Sequence, residues 1–338
     1  MGMPLPEKAL IKRLTRQART SGPAARSRGG DNTQTAGGRS GVAGLLKGIG
    51  DDCAVLRLPP GHQVLVTTDF SLEGVHFRRD WHPPESVGHR CLARGLSDIA
   101  AMGGEPLAAF LSLALPAKLP QGWVDRFLKG FLALAKEFAV PLAGGDTAES
   151  PHGVLADIVV LASVEGGKAV LRSGARPGDS LYVTGELGGS AWVLEKLRAQ
   201  ALKKSAFRRH FVHFFPIPRV ICGRLLREKG LAKAMIDISD GLSTDLHHLC
   251  EESEVGARIY TDRVPVAGGP ANLQFALNGG DDYELLFAAR ARIPEQIAGV
   301  PVTRIGEVTR GHKIVLVEKG KERDLRAQGW QHFGRRRG

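Results

Sequence analysis

The chain has 338 residues, with 46 Lys and Arg against 35 Asp and Glu, for a formal charge of +11. A single core rarely grows past about 250–300 residues, so two domains are expected, and an apolar content of 43% excludes global disorder. Four scattered cysteines without Cys-x-x-Cys spacing argue against a zinc ribbon or disulfide scaffold, no apolar run reaches the roughly 18 residues of a membrane span, and a cytoplasmic protein is expected.

In chain order, residues 7–19 predict a short basic helix, and residues 20–44 a mobile Gly/Ser/Arg-rich loop that buries too little to offset its ordering entropy. A strand is predicted over Gln63–Thr68, ending at Asp69. A helix follows over Glu85–Met102, started after Pro83-Pro84 and stopped by Gly103-Gly104. Phe110–Leu115 reads as a strand and Trp123–Phe138 as an amphipathic helix with period-3.6 apolar residues. Ala139–Leu142 runs into Gly144-Gly145-Asp146, and Val154–Val164 is a long strand. A glycine turn at Arg172–Asp179 then opens a second half. Strands are predicted there at 180–184, 234–238, 257–261, 283–288 and 314–317, the last one short. Helices are predicted at 189–199, 218–229 and 242–253, with a basic region at 203–213.

The expected organisation is a basic N-terminal segment (1–44), an N-terminal domain (45–170) and a C-terminal α/β domain with a basic tail (171–338). The fold class is α/β or α+β, with a sheet in each domain. The charge resolves on this map. Residues 1–40 carry eight basic and two acidic residues, and residues 319–338 carry seven and two. The body between them is neutral, so it requires its own explanation.

That body repeats carboxylates beside glycines: Asp51-Asp52, Thr67-Thr68-Asp69, Asp98, Gly145-Asp146, Asp237-Ile238-Ser239-Asp240-Gly241 and Gly280-Asp281-Asp282. Taken singly, each pair fits a surface turn. Together they are carboxylates that would repel unless cations lay between them. Mg²⁺ takes oxygen ligands and bridges carboxylates to phosphates, so a multi-metal site for a polyphosphate is expected. No G-x-x-x-x-G-K-[ST] is present, since Gly166-Gly167-Lys168 leads into Ala169, and no G-x-G-x-x-G opens a helix. ATP would be held through metals and a few basic or backbone groups, with Arg172 the best cationic candidate.

The runs GIGDDCAVL (48–56), TTDFSLEGVHF (67–77), LSDIAAMGGEP (96–106), LAGGDT (142–147), LRSGARPGD (171–179), IDISDGLSTDL (236–246) and GGDDYELLF (279–287) resemble thiamine-monophosphate kinases. These belong to the aminoimidazole ribonucleotide synthetase-like superfamily. The resemblance implies ATP-dependent phosphorylation of thiamine monophosphate to thiamine diphosphate and a two-domain fold whose N-terminal sheets pair in a homodimer. It implies Mg²⁺ ligands at Asp52, Thr67, Thr68, Asp69, Asp98, Asp146, Asp237 and Asp240. It implies ATP contacts at Gly145, Asp146, Arg172 and Ser239, and thiamine contacts at His76, Glu284 and Trp330. No residue is assigned as a general base, because the acceptor phosphate is already anionic near neutral pH.

Two other classes compete. Another ATP-using synthetase of the superfamily shares single motifs, but a selenophosphate synthetase would want a reactive Cys near the N-terminus, and residues 1–44 hold none. A nucleic-acid-binding protein would want aromatics interleaved with the basic residues. Only Trp330 and Phe333 lie near the last basic cluster, and neither nucleic acid nor membrane is expected as a partner.

Overall fold

The structure is a computed structural model that describes Ala9, Arg13, Arg16, Gln17 and residues 44–49, 53–200 and 211–331. The expected helix at 7–19 is largely outside the described residues. Outside them too lie most of the expected loop at 20–44, Asp52, residues 203–210 and the triple-Arg tail. The chain divides into two compact units, one comprising residues 1–95 and 105–167, the other residues 96–104 and 168–338.

In the first unit, β1 (Gly44–Lys47) pairs antiparallel with β2 (Val55–Arg57). A separate four-stranded sheet holds β3 (His62–Leu72), β4 (Glu105–Leu115), β5 (Leu142–Glu149) and β6 (Leu155–Glu165) in the order β3-β6-β4-β5. The first part of helix α1 (Pro84–Ala101) and helix α2 (Gln121–Glu137) belong with it. The apolar stripe read from the sequence is the buried face of α2: Val124, Phe127, Leu128, Phe131, Leu132 and Leu134. The division between units falls within α1, after Gly95.

Two expectations about the strands are corrected. Asp69 does not follow a strand but lies inside one. β3 runs three residues further, because β6 pairs with it along its whole length, from His62 opposite Glu165 to Leu72 opposite Leu155. Likewise Gly144-Gly145-Asp146 is not a turn after a strand; it is the middle of β5, paired in parallel with β4.

The second unit is built on an eight-stranded sheet. Its strands are β7 (Ser180–Thr184), β8 (Ala234–Ile238), β9 (Gly256–Tyr260), β10 (Glu284–Ala289), β11 (Gln296–Ile297), β12 (Val300–Thr309), β13 (Ile314–Glu318) and β14 (Lys321–Asp324). The path is β14-β13-β9-β12-β7-β10-β8, with β11 attached to β12. Helices α3 (Gly189–Arg198), α4 (Phe211–Phe214), α5 (Val220–Glu228), α6 (Leu242–Glu252) and α7 (Leu273–Asn278) accompany it. A core of Leu181, Ile236, Leu246, Ile259, Leu286 and their neighbours is almost wholly buried.

The expectation that 314–317 is the last strand is also corrected. β14 follows it as a short edge strand of Lys, Glu, Arg and Asp, all exposed, and so carries no apolar pattern. The ten-residue β12 was not expected either. A register shift between Arg304 and Gly306 breaks its alternation, although it is central in the sheet.

Candidate functional site

Each unit carries its own set of motif residues. In the first, the pleat of β3 turns Leu65, Thr67, Asp69 and Ser71 to the more buried face. Val64, Val66, Thr68 and Phe70 take the exposed face. The two adjacent threonines therefore send their side chains to opposite sides. Asp69 is half-buried and accepts a long hydrogen bond, 3.5 Å, from Arg94 Nη2 on α1. Thr68 Oγ1 donates to Asp157 on β6 at 2.9 Å.

Asp146 projects from β5 as an exposed carboxylate, with Oδ1 accepting from the Thr147 N–H at 2.8 Å. Gly145 before it has φ +145°, and a Cβ there would lie 1.9 Å from the Leu111 carbonyl on β4. Only glycine permits that approach. His76 follows β3 in a turn where its Nδ1 accepts from the Leu72 N–H at 3.0 Å. It lines a small pocket with Ser71, Phe77, Val87, Arg90 and Arg94.

In the second unit the Leu-Ser-Asp run and the Asp-Ile-Ser-Asp-Gly run are joined directly. Ser97 Oγ donates to Asp237 Oδ2 at 2.7 Å, both side chains being buried. Asp98, the next residue, is half-buried. Beyond β8 the chain turns into α6 through Ser239, Asp240 and Gly241. Asp245, one turn into the helix, reaches back with Oδ2 to accept the backbone N–H groups of all three, at 3.0–3.1 Å. An anionic acceptor suits the positive end of a helix. Burial, and then the Asp237 and Asp240 carboxylates, nevertheless push the Asp245 carboxyl up to about 8.

A C-terminal segment completes this loop. Gln328 and Gly329 donate their N–H groups to Ser243 Oγ and Thr244 Oγ1, and Trp330 donates its own to the Asp240 carbonyl at 2.9 Å. A Cβ on Gly329 would lie 2.2 Å from that same carbonyl. The Trp330 ring stays 44% exposed beside Asp240's loop. Arg172 is exposed on the glycine turn, whose Arg172 carbonyl accepts from Ser253 Oγ at 2.8 Å.

Glu284, the first residue of β10, is buried. Its carboxylate receives Arg219 Nε at 2.7 Å, a second Arg219 nitrogen, and Thr184 Oγ1 at 2.6 Å. Asp282 accepts the Gly188 N–H at 2.7 Å ahead of α3, and burial raises its carboxyl well above the ordinary range. Between them Tyr283 donates its hydroxyl to Asp281 at 2.7 Å, both residues having left-handed backbone, φ +54° and +66°.

Ser97, Arg219 and Asp245 are structural partners that the sequence reading did not single out, and Asp282, read there only as one of the repeated carboxylates, is a fourth. Three of the four lie within runs already recognised, so position inside a motif was the available signal. Arg219 had none. Among the described residues, no helix is long and apolar enough to cross a membrane.

Residues 50–164 match the family described as AIR synthase related protein, N-terminal domain, and residues 176–319 match its C-terminal domain. Together the two matches span most of the chain and place it in the two-domain AIR synthase related class. A thiamine-monophosphate kinase of Salmonella typhimurium is 36% identical over 313 residues, 87% of this chain and 94% of its own. One of Bacillus subtilis is 34% identical over 305 residues, 85% and 93%. The solved thiamine-monophosphate kinase of Stenotrophomonas maltophilia superposes with a TM-score of 0.76 at 32% identity, covering 93% of this chain and 97% of that one. A second structure, AaThiL complexed with AMPPCP and TMP, gives 0.73 at 31% identity and covers 82% and 89%. The chain belongs to the thiamine-monophosphate kinase family. The hydrogenase maturation protein HypE of E. coli, 18% identical with a TM-score of 0.72, shares the fold.

Proposed function

We propose that this protein uses ATP to phosphorylate thiamine monophosphate, giving thiamine diphosphate. The observation that carries the reading is identity of about a third over some 85% of the chain with relatives of that name. The relative complexed with AMPPCP, an ATP analogue, and TMP supports both substrates.

Magnesium fits the donor set of each unit. In the first, Thr67, Asp69, Asp146 and the undescribed Asp52 offer hard oxygens, with Thr68 on the opposite face of β3; β6 and β4 lie between the strands of Asp69 and Asp146, so these two carboxylates are separate donors within one chain. In the second, Asp98, Asp237 and Asp240 do, and Asp237 and Asp240 lie close enough to Asp245 to add to the upward push that burial gives its carboxyl. When bound, such ions would neutralise phosphate charge during in-line transfer. The protein's own part is positioning. Gly145, Asp146, Arg172 and Ser239 are assigned to ATP, and His76, Glu284 and Trp330 to the thiamine moiety. A phosphate acceptor needs no strong base, so none is assigned.

We further infer a homodimer formed through the first unit's sheet. Val64, Val66 and Phe70 share one face of an edge strand and are 46%, 62% and 55% exposed. A cytoplasmic location accords with the four free cysteines.

The test is thiamine diphosphate formation from thiamine monophosphate, ATP and Mg²⁺. Asp69→Ala and Asp240→Ala should each abolish turnover while the circular dichroism spectrum stays native. Near-normal rates in both would overturn the mechanism, and no product from the parent enzyme would overturn the substrate.

A further inference from the structure

Asp240, Asp245 and His248 form a cluster within the second unit. Each offers one ligand atom, and the three atoms lie within 4.8 Å of one another. Asp245 and His248 are three residues apart on α6, a spacing that puts both on one face of the helix. Asp240 approaches from the loop before it. Asp245 is 2% exposed, and three backbone N–H groups fix its Oδ2, which sets the direction of its other oxygen. Asp240 and His248 are half-buried. Asp245 is therefore fixed by the backbone, while Asp240 and His248 keep partial exposure.

The imidazole changes what such a group selects. Magnesium favours oxygen donors throughout, whereas imidazole nitrogen suits later divalent ions. We propose that Asp240, Asp245 and His248 make a mixed oxygen–nitrogen site for a divalent transition metal, with His248 as the nitrogen ligand. Mn²⁺ or Co²⁺ binds there more tightly than Mg²⁺. The site shares Asp240 with the magnesium set proposed above and so deepens that reading at one ligand, but its test reads binding without turnover.

The experiment titrates metal-free protein with Mn²⁺, without nucleotide, and follows electron paramagnetic resonance. Nitrogen modulation in the spin-echo decay reports a coordinated imidazole. The parent protein should show that modulation, and a large excess of Mg²⁺ should be needed to remove it. His248→Gln should lose the modulation and weaken that Mn²⁺ by roughly tenfold or more, a typical cost for disturbing a metal shell. His247→Gln is the control, since its Nδ1 already faces the Ser243 carbonyl at 2.6 Å; its signal should match the parent's. Absence of modulation in the parent overturns the proposal whatever the variants do. Persistence in folded His248→Gln overturns it as well. Kinase turnover with Mg²⁺ is measured separately, so its loss in the parent would count against the proposed reaction and not against this site.

Discussion

Single residues here act through what they hold as much as through what they offer a ligand. Gly329 donates to Thr244 while its Cα faces the Asp240 carbonyl, with no room for a methyl group. Gly329→Ala should therefore destabilise the protein by about 1–3 kcal/mol, as overpacking does, and move Trp330. Denaturant unfolding measures the first effect, and a raised KM for thiamine monophosphate the second. Glu284 raises a sharper question, because its carboxylate already accepts from Arg219 and Thr184, and any contact with substrate would be shared with them. Arg219→Ala should cost about 3–5 kcal/mol, the usual penalty for leaving a buried charge alone. Pairing it with Glu284→Gln should recover part of that loss, and the double-mutant cycle gives the coupling. The sequence displays Glu284 as one residue of a motif. It cannot display Arg219, which lies 65 positions earlier and gains meaning only when β10 and α5 meet.

Among elements, the long regular ones were legible and the irregular ones were not. Helix α2 matches its apolar stripe, and β7 and β8 match their expected bounds, because burial there follows period 3.6 or a continuous apolar run. β12 was hidden by its bulge and β14 by its charge. The aspartates were expected just beyond strands, and β3 and β5 instead carry Asp69 and Asp146 within pairing distance of a neighbouring strand. Pairing with β6 and β4 is a long-range property that a local apolar run cannot signal. Helix α3 offers a pH test. Asp282 accepts N–H groups at its start, and burial raises its carboxyl. The folded state therefore holds a proton that the unfolded chain releases at an ordinary carboxylate pKa. Stability from this group is full at low pH and falls as pH climbs from about 4 toward the raised value. In Asp282→Asn that slope should flatten, as followed by thermal unfolding in metal-free buffers from pH 4 to 8. An unchanged slope would mean that Asp282 is ionised in the folded protein.

For the whole molecule, the charge of +11 misleads until it is mapped. The basic excess lies in residues 1–40 and 319–338, and the latter are only partly a tail. Lys321–Asp324 is a strand, and residues 328–330 bind the α6 loop. The body's motif carboxylates lie in both units, among them Asp69 and Asp146 in the first and Asp237 and Asp240 in the second. The exposed apolar face of β3 makes the molecule's assembly testable. Val66→Glu with Phe70→Arg should shift sedimentation from dimer to monomer at micromolar concentration, with little change in the circular dichroism spectrum. A species of unchanged mass would place the interface elsewhere. The family was readable from seven motifs in order, whereas their side-chain partners needed the fold.

The segment 328–330 also bears on the order in which the protein comes into being. Gly329 meets Thr244 across 85 residues of chain, and Trp330 meets Asp240 across a comparable span. A chain emerging from the ribosome carries Asp237, Asp240 and Asp245 long before it carries the residues that fix their loop. Contacts this distant form late, after loop-closure entropy has been overcome. In the nascent second unit the acidic cluster is therefore synthesised before the residues that tie its loop.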